Sequence, residues 1–313
     1  MSKHARDVEY RAKHELTQLA KHELTQLLVG SQLQRDALGF ITAADGGLVL
    51  HDLAELIGHP PFEIEHLLGG LFGRSVGSRS STSSVGYPDE RVYLFTHDTL
   101  QPVAEQQFGN SLAAYRDRLH AWADTWRHRK WPRNTPQYLL RSYPRMLAST
   151  QDLPRLVGCA TDHTRHDRMR DLTGGDALAL TEISTAQQLI LAQPDPDLAS
   201  LVLLAVQREH LVDRNSNIPI ELPGIWARIG QPIRAEALAN SITDPYRQAQ
   251  ALTGLAEAAT TAGDHERAAR LAGHAEVLTT QITDPDQQAW ALTRLAEAVT
   301  AAGDHERAAR LEG

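Results

Sequence analysis

The sequence predicts a mainly α-helical chain whose C-terminal part is a stack of helical repeats. The first observation is that residues 242–273 and 282–313 are identical at 25 of 32 positions, with a period of 40 residues from Pro245 to Pro285. Self-similarity at this spacing is typical of helical arrays, which bind partners more often than they catalyse reactions. The second observation is that apolar residues elsewhere recur at three- and four-residue steps, the period of an amphipathic helix.

Composition restricts the class of protein. The chain has 313 residues, enough for two or three domains, and a net charge of −8, which disfavours nucleic acid or an anionic membrane as the main partner. Cys159 is the only cysteine, so the chain has no internal disulfide and a reducing compartment is expected. No signal peptide and no apolar run of about 20 residues is recognisable. We therefore expect a cytoplasmic protein that does not enter a membrane.

Residues 1–30 are predicted to form one leading helix. Its apolar stripe at helical spacing consists of Leu16, Ala20, Leu24 and Leu27. Such a stripe serves either to dock a partner or to pack on the following domain, and the second interpretation is favoured.

Residues 31–100 are predicted to contain both helices and extended segments. An amphipathic helix, a short extended run, two further helices, a serine- and glycine-rich loop and a strand follow one another; they cover residues 31–44, 48–50, 51–58, 60–72, 74–90 and 91–95. This order is that of a winged helix, a fold that often binds DNA through its third helix. Here that helix carries Glu63, Glu65 and His66 but no lysine or arginine, so it would repel phosphates. A winged-helix module that packs against protein is favoured, and a nucleic-acid-binding regulator is the alternative.

Residues 101–221 are predicted to be a helical linker or solenoid region. One helix in it ends in a basic cluster consisting of Arg127, Arg129, Lys130 and Arg133. The cluster is either a site for phosphate or RNA or a set of cations that complements the dipole at a helix C-terminus. The second interpretation is favoured.

Residues 222–313 contain the repeats. Asp244 is placed to cap a helix that starts at Pro245, Gly263 to end it, and Asp264 to cap the next helix at once. Each unit is therefore a helical hairpin, and a diverged copy begins before Gly230. The spacing of the packing residues resembles the tetratricopeptide repeat, although the period is 40 rather than about 34. Because the last copy stops within its second helix, we expect the array to be truncated at the C-terminus.

Differences between the two near-identical copies indicate a binding surface. Six of the seven lie on the first helix of the unit, and several share one face. In tetratricopeptide arrays this helix lines the concave surface. The residues predicted to bind a protein or peptide are Arg247, Gln250, Gly254, Gln287, Trp290 and Arg294. The alternative is neutral drift on a solvated face.

No catalytic, cofactor or metal site is predicted. The sequence has no phosphate-binding loop of the G-x-x-x-x-G-K-[ST] type. Ser75 lies in a G-x-S-x-G string at residues 73–77, but the strand before and the helix after such an elbow are missing. Cys159, His163 and His166 lack a fourth ligand for a tetrahedral site. His265 and His305 recur with the repeat and are expected to be packing residues.

Three segments together carry a family resemblance. They are RVYLFTHDTLQPVAEQQF at 91–108, LAAYRDRLHAWADTWRHRKWP at 112–132 and the ITDP…GDHERAARL repeats. The chain resembles the C-terminal half of bacterial STAND signalling ATPases, in which a winged helix precedes a repeat sensor. The ATPase residues of that family are absent from this sequence, so its nucleotide chemistry is not carried over.

The leading hypothesis is thus a non-catalytic interaction or sensor module, mainly α, with a winged-helix domain followed by a tetratricopeptide-like solenoid. A nucleic-acid-binding regulator and an unrecognised hydrolase are the alternatives. No cofactor is expected, and the sequence does not specify an oligomeric state.

Overall fold

The computed structural model describes residues 24–25, 28–45, 47–70, 76–80, 91–96 and 100–312, and the chain is mainly helical. It divides into two compact units, Met1–Asp152 and Leu153–Gly313. The range predicted as a helical linker or solenoid, 101–221, is shared between these units. Most of the predicted leading helix lies outside the described residues, whereas Leu24 of its stripe is buried.

The first unit combines helices with a small sheet. Its helices are α1 (Gln32–Ala44), α2 (Leu50–Ile57), α3 (Pro61–Gly70), α4 (Leu100–Phe108), α5 (Leu112–His128), α6 (Gln137–Arg141) and α7 (Tyr143–Ser149). Its strands are β1 (Leu48–Val49), β2 (Val76–Ser80) and β3 (Arg91–Phe95), which form an antiparallel sheet in the order β1-β3-β2. Leu48 lies opposite Tyr93, and Val76 opposite Phe95.

The core of the first unit is built on the contact between α1 and α5. Phe40 is fully buried and meets the Tyr115 ring edge-on, with ring centroids 5.2 Å apart. The Tyr115 hydroxyl also donates a hydrogen bond of 2.9 Å to Asp36. Gly39 permits this approach, because a Cβ atom there would lie 2.5 Å from the Tyr115 ring. The glycine therefore sets the distance between the two helices.

The second unit is helical in all its described elements. They are α8 (Leu153–Ala160), α9 (His163–Thr173), α10 (Ala177–Leu191), α11 (Leu198–Ser216), α12 (Leu222–Arg228), α13 (Pro232–Asn240), α14 (Pro245–Thr261), α15 (His265–Thr279), α16 (Pro285–Ala301) and α17 (His305–Glu312). The pairs α12/α13, α14/α15 and α16/α17 are three successive helical hairpins, which we call hairpins 1, 2 and 3.

Each hairpin turns over a glycine followed by a polar residue. In hairpin 2, Gly263 has a φ of 78° and donates its N–H to the Thr260 carbonyl at 3.0 Å. The next residue, Asp264, donates its N–H to the Ala259 carbonyl at 2.9 Å and accepts the Arg267 N–H at 3.1 Å. One helix thus ends and the next is capped within two adjacent residues, as the sequence predicts.

The same turn recurs in the neighbouring hairpins. Gly303 and Asp304 repeat it in hairpin 3, with a φ of 89° at the glycine. Gly230, with a φ of 77°, occupies the equivalent place in hairpin 1, where Gln231 follows it. The diverged first copy predicted from the sequence therefore folds with the turn of the later copies.

Small residues dominate the interior of the hairpins. The buried residues of α13 to α16 include Ala235, Ala239, Leu252, Leu255, Ala256, Ala268, Leu271, Ala272, Ala275 and Leu295. Alanine side chains allow helices to pack closely. The expectation that His265 and His305 pack in this core is wrong, because both side chains are exposed. Each is the first residue after the capping aspartate, and this end of the helix faces solvent.

A repeated ionic contact joins successive hairpins. Arg267 of α15 donates to Glu236 of α13 at 3.0 Å, and Arg307 of α17 donates to Glu276 of α15 at 3.0 Å. Each pair is separated by 31 residues. Hydrogen bonds from Arg270 and attraction to Arg267 lower the pKa of Glu236, so this carboxylate remains charged. The contact fixes the second helix of one hairpin against that of the next.

The two glycines of hairpin 2 provide a test of the turn. We expect Gly263→Ala to lower the free energy of unfolding by about 1 kcal/mol, because alanine is strained at positive φ. Gly254→Ala should raise it by about 0.5–1 kcal/mol, because Gly254 lies inside α14 and no atom lies within 4 Å of an added Cβ. Urea unfolding followed by circular dichroism measures both changes. Equal effects of the two substitutions would contradict the assigned turn.

Candidate functional site

A cleft of about 600 Å³ lies between hairpins 1 and 2. Hairpin 1 contributes residues at its turn and hairpin 2 contributes the end of α14 and the start of α15. The lining residues are Ala227, Arg228, Gly230, Pro232, Leu255, Ala258, Ala259, Thr261, Ala262, Asp264, Arg267 and Leu271. Its volume lies within the range of sites that hold a small molecule or a large side chain.

The walls of the cleft are mostly apolar and small. Ala258, Ala259 and Ala262 line the α14 side, and hairpin 3 has Val299 at the position equivalent to Ala259. Among the cations of the lining, Arg267 is held by Glu236 and by the Pro232 carbonyl. Arg228, which α12 contributes, is exposed. The cleft is therefore suited to a ligand that places an apolar group inside it and polar or anionic atoms at its rim.

The cleft continues onto the outer face of α14. Thr261 lines the cleft and lies on the same helix face as Gly254 and Gln250, at steps of seven and four residues. Gln250 and Gly254 are both half-buried. This part of the predicted binding surface is therefore contiguous with the cleft.

Helix α16 carries the single aromatic residue among the six predicted binding residues. The Trp290 side chain is 64% exposed, and Gln287, three residues earlier, is also exposed. Arg294, one turn further on, lies 3.3 Å from Glu257 of α14 and 3.3 Å from Glu297. Arg294 thereby joins α16 to α14 beside Trp290, so five of the six predicted residues border a common stretch of these two helices.

Arg247, the sixth predicted residue, has a different environment. Its guanidinium donates hydrogen bonds to the carbonyls of Ser216 at 2.6 Å and Ile218 at 2.8 Å. It is half-buried and holds the segment between α11 and α12 against the start of α14. The following copy has Gln287 at this position, and Gln287 is exposed. The Arg/Gln difference thus has a structural cause in addition to any role in binding.

The basic cluster surrounds the C-terminal end of α5. Arg127, Arg129, Lys130 and Arg133 are all exposed. The Trp131 N–H donates to the Trp126 carbonyl at 3.2 Å and the Lys130 N–H donates to the Arg127 carbonyl at 2.9 Å, with a φ of 59° at Lys130. This is the hydrogen-bond pattern of a Schellman cap, and Trp131 is buried beneath it. These cations lie at the C-terminal end of α5, where the helix dipole favours positive charge, so helix capping explains the cluster.

The weak metal-site alternative has no geometric support. Cys159 and His166 are buried, whereas His163 is exposed. Within the described part of the chain, no three histidine, cysteine or carboxylate side chains are placed to hold a metal ion. Gly73, Arg74 and Ser75 of the G-x-S-x-G string lie outside the described residues. In that same described part, no helix is long and apolar enough to cross a membrane.

The second unit contains a buried polar cluster that the sequence does not predict. Arg165 of α9 is fully buried and places one nitrogen 2.8 Å and 2.9 Å from the two carboxylate oxygens of Glu182 on α10. Arg214 of α11 binds Asp176 at 2.9 Å and Asp167 at 2.6 Å. These contacts lie 17 to 47 residues apart in sequence, so no local pattern reveals them. They hold α9, α10 and α11 together.

His166 lies beside this cluster and is fully buried. Its Nδ1 atom is 3.1 Å from the Gln207 side-chain nitrogen. Burial and the neighbouring Arg165 lower the pKa of His166 from 6.5 to about 3. The imidazole is therefore neutral at physiological pH, as expected for a structural group.

Comparison of the chain with protein-family models, with curated proteins and with solved structures finds no match.

The His166 environment predicts acid sensitivity. Below pH 6.5 the unfolded chain binds a proton that the folded protein does not bind until about pH 3. Stability should therefore decrease as the pH falls, by about 2 kcal/mol from His166 between pH 7 and pH 5. Urea unfolding of the native chain and of His166→Gln at both pH values measures this contribution. If the two proteins lose the same stability on acidification, the assignment to His166 is wrong.

Proposed function

We propose that this chain is a non-catalytic protein–protein interaction module whose second unit binds a protein or peptide. The binding surface runs from the cleft over α14 to α16. The observation that carries the proposal is the large exposed side chain of Trp290 beside the Arg294 ion pairs, on a surface that continues into an apolar cleft. Tryptophan and arginine are the residues most enriched among those that dominate binding energy at interfaces.

The proposed surface offers two anchoring points of different chemistry. The cleft accepts an apolar side chain and excludes water from it, and Trp290 provides a flat apolar area outside the cleft. The polar rim comes from Gln250, Gln287 and the Arg294–Glu257 pair. A peptide that spans both points would be selected by the spacing of its apolar residues.

The fold supports a more specific version of this proposal. We interpret the three hairpins as a tetratricopeptide-like solenoid, because each turns at a left-handed glycine and hairpins 2 and 3 repeat the aspartate caps. We interpret α1 to α3 with the antiparallel sheet as a winged helix. Together with the family resemblance, this interpretation leads us to propose a cytoplasmic sensor module of a bacterial STAND-type signalling system. The 40-residue period is longer than that of the tetratricopeptide family, so the partner chemistry of that family is not transferred.

A nucleic-acid-binding role is the second candidate, and the exposed basic cluster at the end of α5 favours it. On α3, however, Glu65 and His66 are exposed and would face phosphates if this helix entered a groove. Capping of α5 also explains the cluster. We therefore place protein binding first, and hydrolase activity through Ser75 last.

The Trp290 surface is tested by affinity capture. We expect Trp290→Ala with Arg294→Ala to reduce recovery of partner proteins from nuclease-treated cytosol by about 30-fold, since a hot-spot residue contributes about 2 kcal/mol. Val277→Ala is a matched control, because Val277 on α15 is also exposed. Recovery is quantified by mass spectrometry. Equal recovery of partner proteins with the double variant and with the control would contradict the proposal. So would capture from untreated cytosol that yields nucleic acid and no protein.

The cleft is tested by blocking its mouth. Thr261 is exposed, so Thr261→Trp should cover the cleft without disturbing the core and should weaken capture by about tenfold. Ala301→Trp places the same side chain at the equivalent exposed position of hairpin 3, away from the cleft, and should leave capture unchanged. Loss of capture with both variants would indicate a nonspecific effect of the added indole and would count against the cleft.

A further inference from the structure

Helix α11 exposes an apolar stripe that the proposed function does not use. Leu198, Val202, Leu203 and Val206 are 71%, 62%, 57% and 65% exposed. The opposite face of α11 is the one that packs, through Leu204, Leu211 and Asn215. The stripe from Leu198 to Val206 spans about 12 Å along the helix. Four adjacent large apolar side chains on one solvent face are characteristic of an interaction site rather than of scattered surface residues.

Both ends of this stripe are acidic. Asp195 and Asp197 precede the helix and are exposed. Glu209 and Asp213 continue the line of Val206 at steps of three and four residues and are also exposed. Arg208 lies on the side of α11 that carries Leu204 and Leu211, away from the stripe, and Arg214 binds Asp176 and Asp167. The apolar stripe is therefore flanked by carboxylates at each end.

This charge pattern selects the occupant. A second copy of α11 would place acidic residues against acidic residues, whether the two helices ran parallel or antiparallel. An anionic lipid surface would be repelled by the same carboxylates. A helix with an apolar stripe of matching length and cations at both ends is complementary in shape and charge.

We propose that the α11 face docks a basic amphipathic helix of a partner protein, with its apolar stripe on Leu198, Val202 and Val206 and its lysines or arginines beside the carboxylates at both ends. The two acidic ends lie about 20 Å apart along α11, which sets the spacing of the cations. This surface is separate from the Trp290 surface and does not depend on it.

Two synthetic helical peptides test the proposal with the full chain. They share one stripe of three leucines at four-residue steps, and one carries lysines at both ends where the other carries glutamates. Fluorescence anisotropy should show binding of the lysine peptide at about 0.05 M salt, weakened at about 0.5 M, and binding of the glutamate peptide at least about tenfold weaker. Equal affinities, or no binding of the lysine peptide, would overturn the proposal.

Variants of the chain locate the site. Val202→Asp should weaken binding of the lysine peptide by at least about tenfold, whereas Val277→Asp, at an exposed valine of α15, should not change it. Glu209→Lys with Asp213→Lys should reduce the preference for the lysine peptide, because only Asp195 and Asp197 at the other end remain acidic. Thr261→Trp should not change the affinity for the lysine peptide, so the test of the α11 face is independent of the test of the cleft. A concentration-dependent dimer in sedimentation velocity that Val202→Asp abolishes would show that a second copy is the occupant, contrary to the proposal.

Discussion

The glycine–aspartate turn is the constraint on which hairpins 2 and 3 of the second unit depend. Gly263 adopts a left-handed conformation, which is unstrained because glycine has no Cβ atom. Asp264, the next residue, caps the following helix. With no flexible residues between the two helices, their relative direction is fixed by local hydrogen bonds. The same turn at Gly303 repeats that direction, so α14 and α16 present corresponding faces.

The cleft follows from a difference in helix length between hairpins. The first hairpin has helices of 7 and 9 residues, whereas the second has helices of 17 and 15 residues. The shared turn brings Gly230 of the short hairpin against the last turns of α14, where Ala258, Ala259 and Ala262 are too small to fill the space. The Arg267–Glu236 contact holds the two hairpins at this separation. An apolar cleft thus remains between two rigidly placed turns.

Much of the helical architecture could be predicted because its signals are local. The caps at Asp244, Asp264 and Asp284, and the turn at Gly263, each depend on residues within one helical turn of the cap. The exposure of Trp290 was predictable because a second copy of the same sequence tolerates glutamine there. Environments created by distant segments were not predictable. Arg247 is bound by carbonyls of the α11–α12 connection, and Arg165 meets Glu182 across two helices. His265 recurs as His305, but recurrence in a repeat does not indicate burial, and both side chains are exposed.

The proposed binding surface is most directly tested by hydroxyl-radical footprinting of the full chain with its captured partner. Oxidation of Trp290 reports the accessibility of one side chain of this surface, without a substitution. The partner is expected to protect Trp290 and the residues that line the cleft, while exposed Val277 reacts as in the free chain. Unchanged oxidation of Trp290, with protection confined to the basic cluster at 127–133 or to α3, would contradict the proposed binding surface.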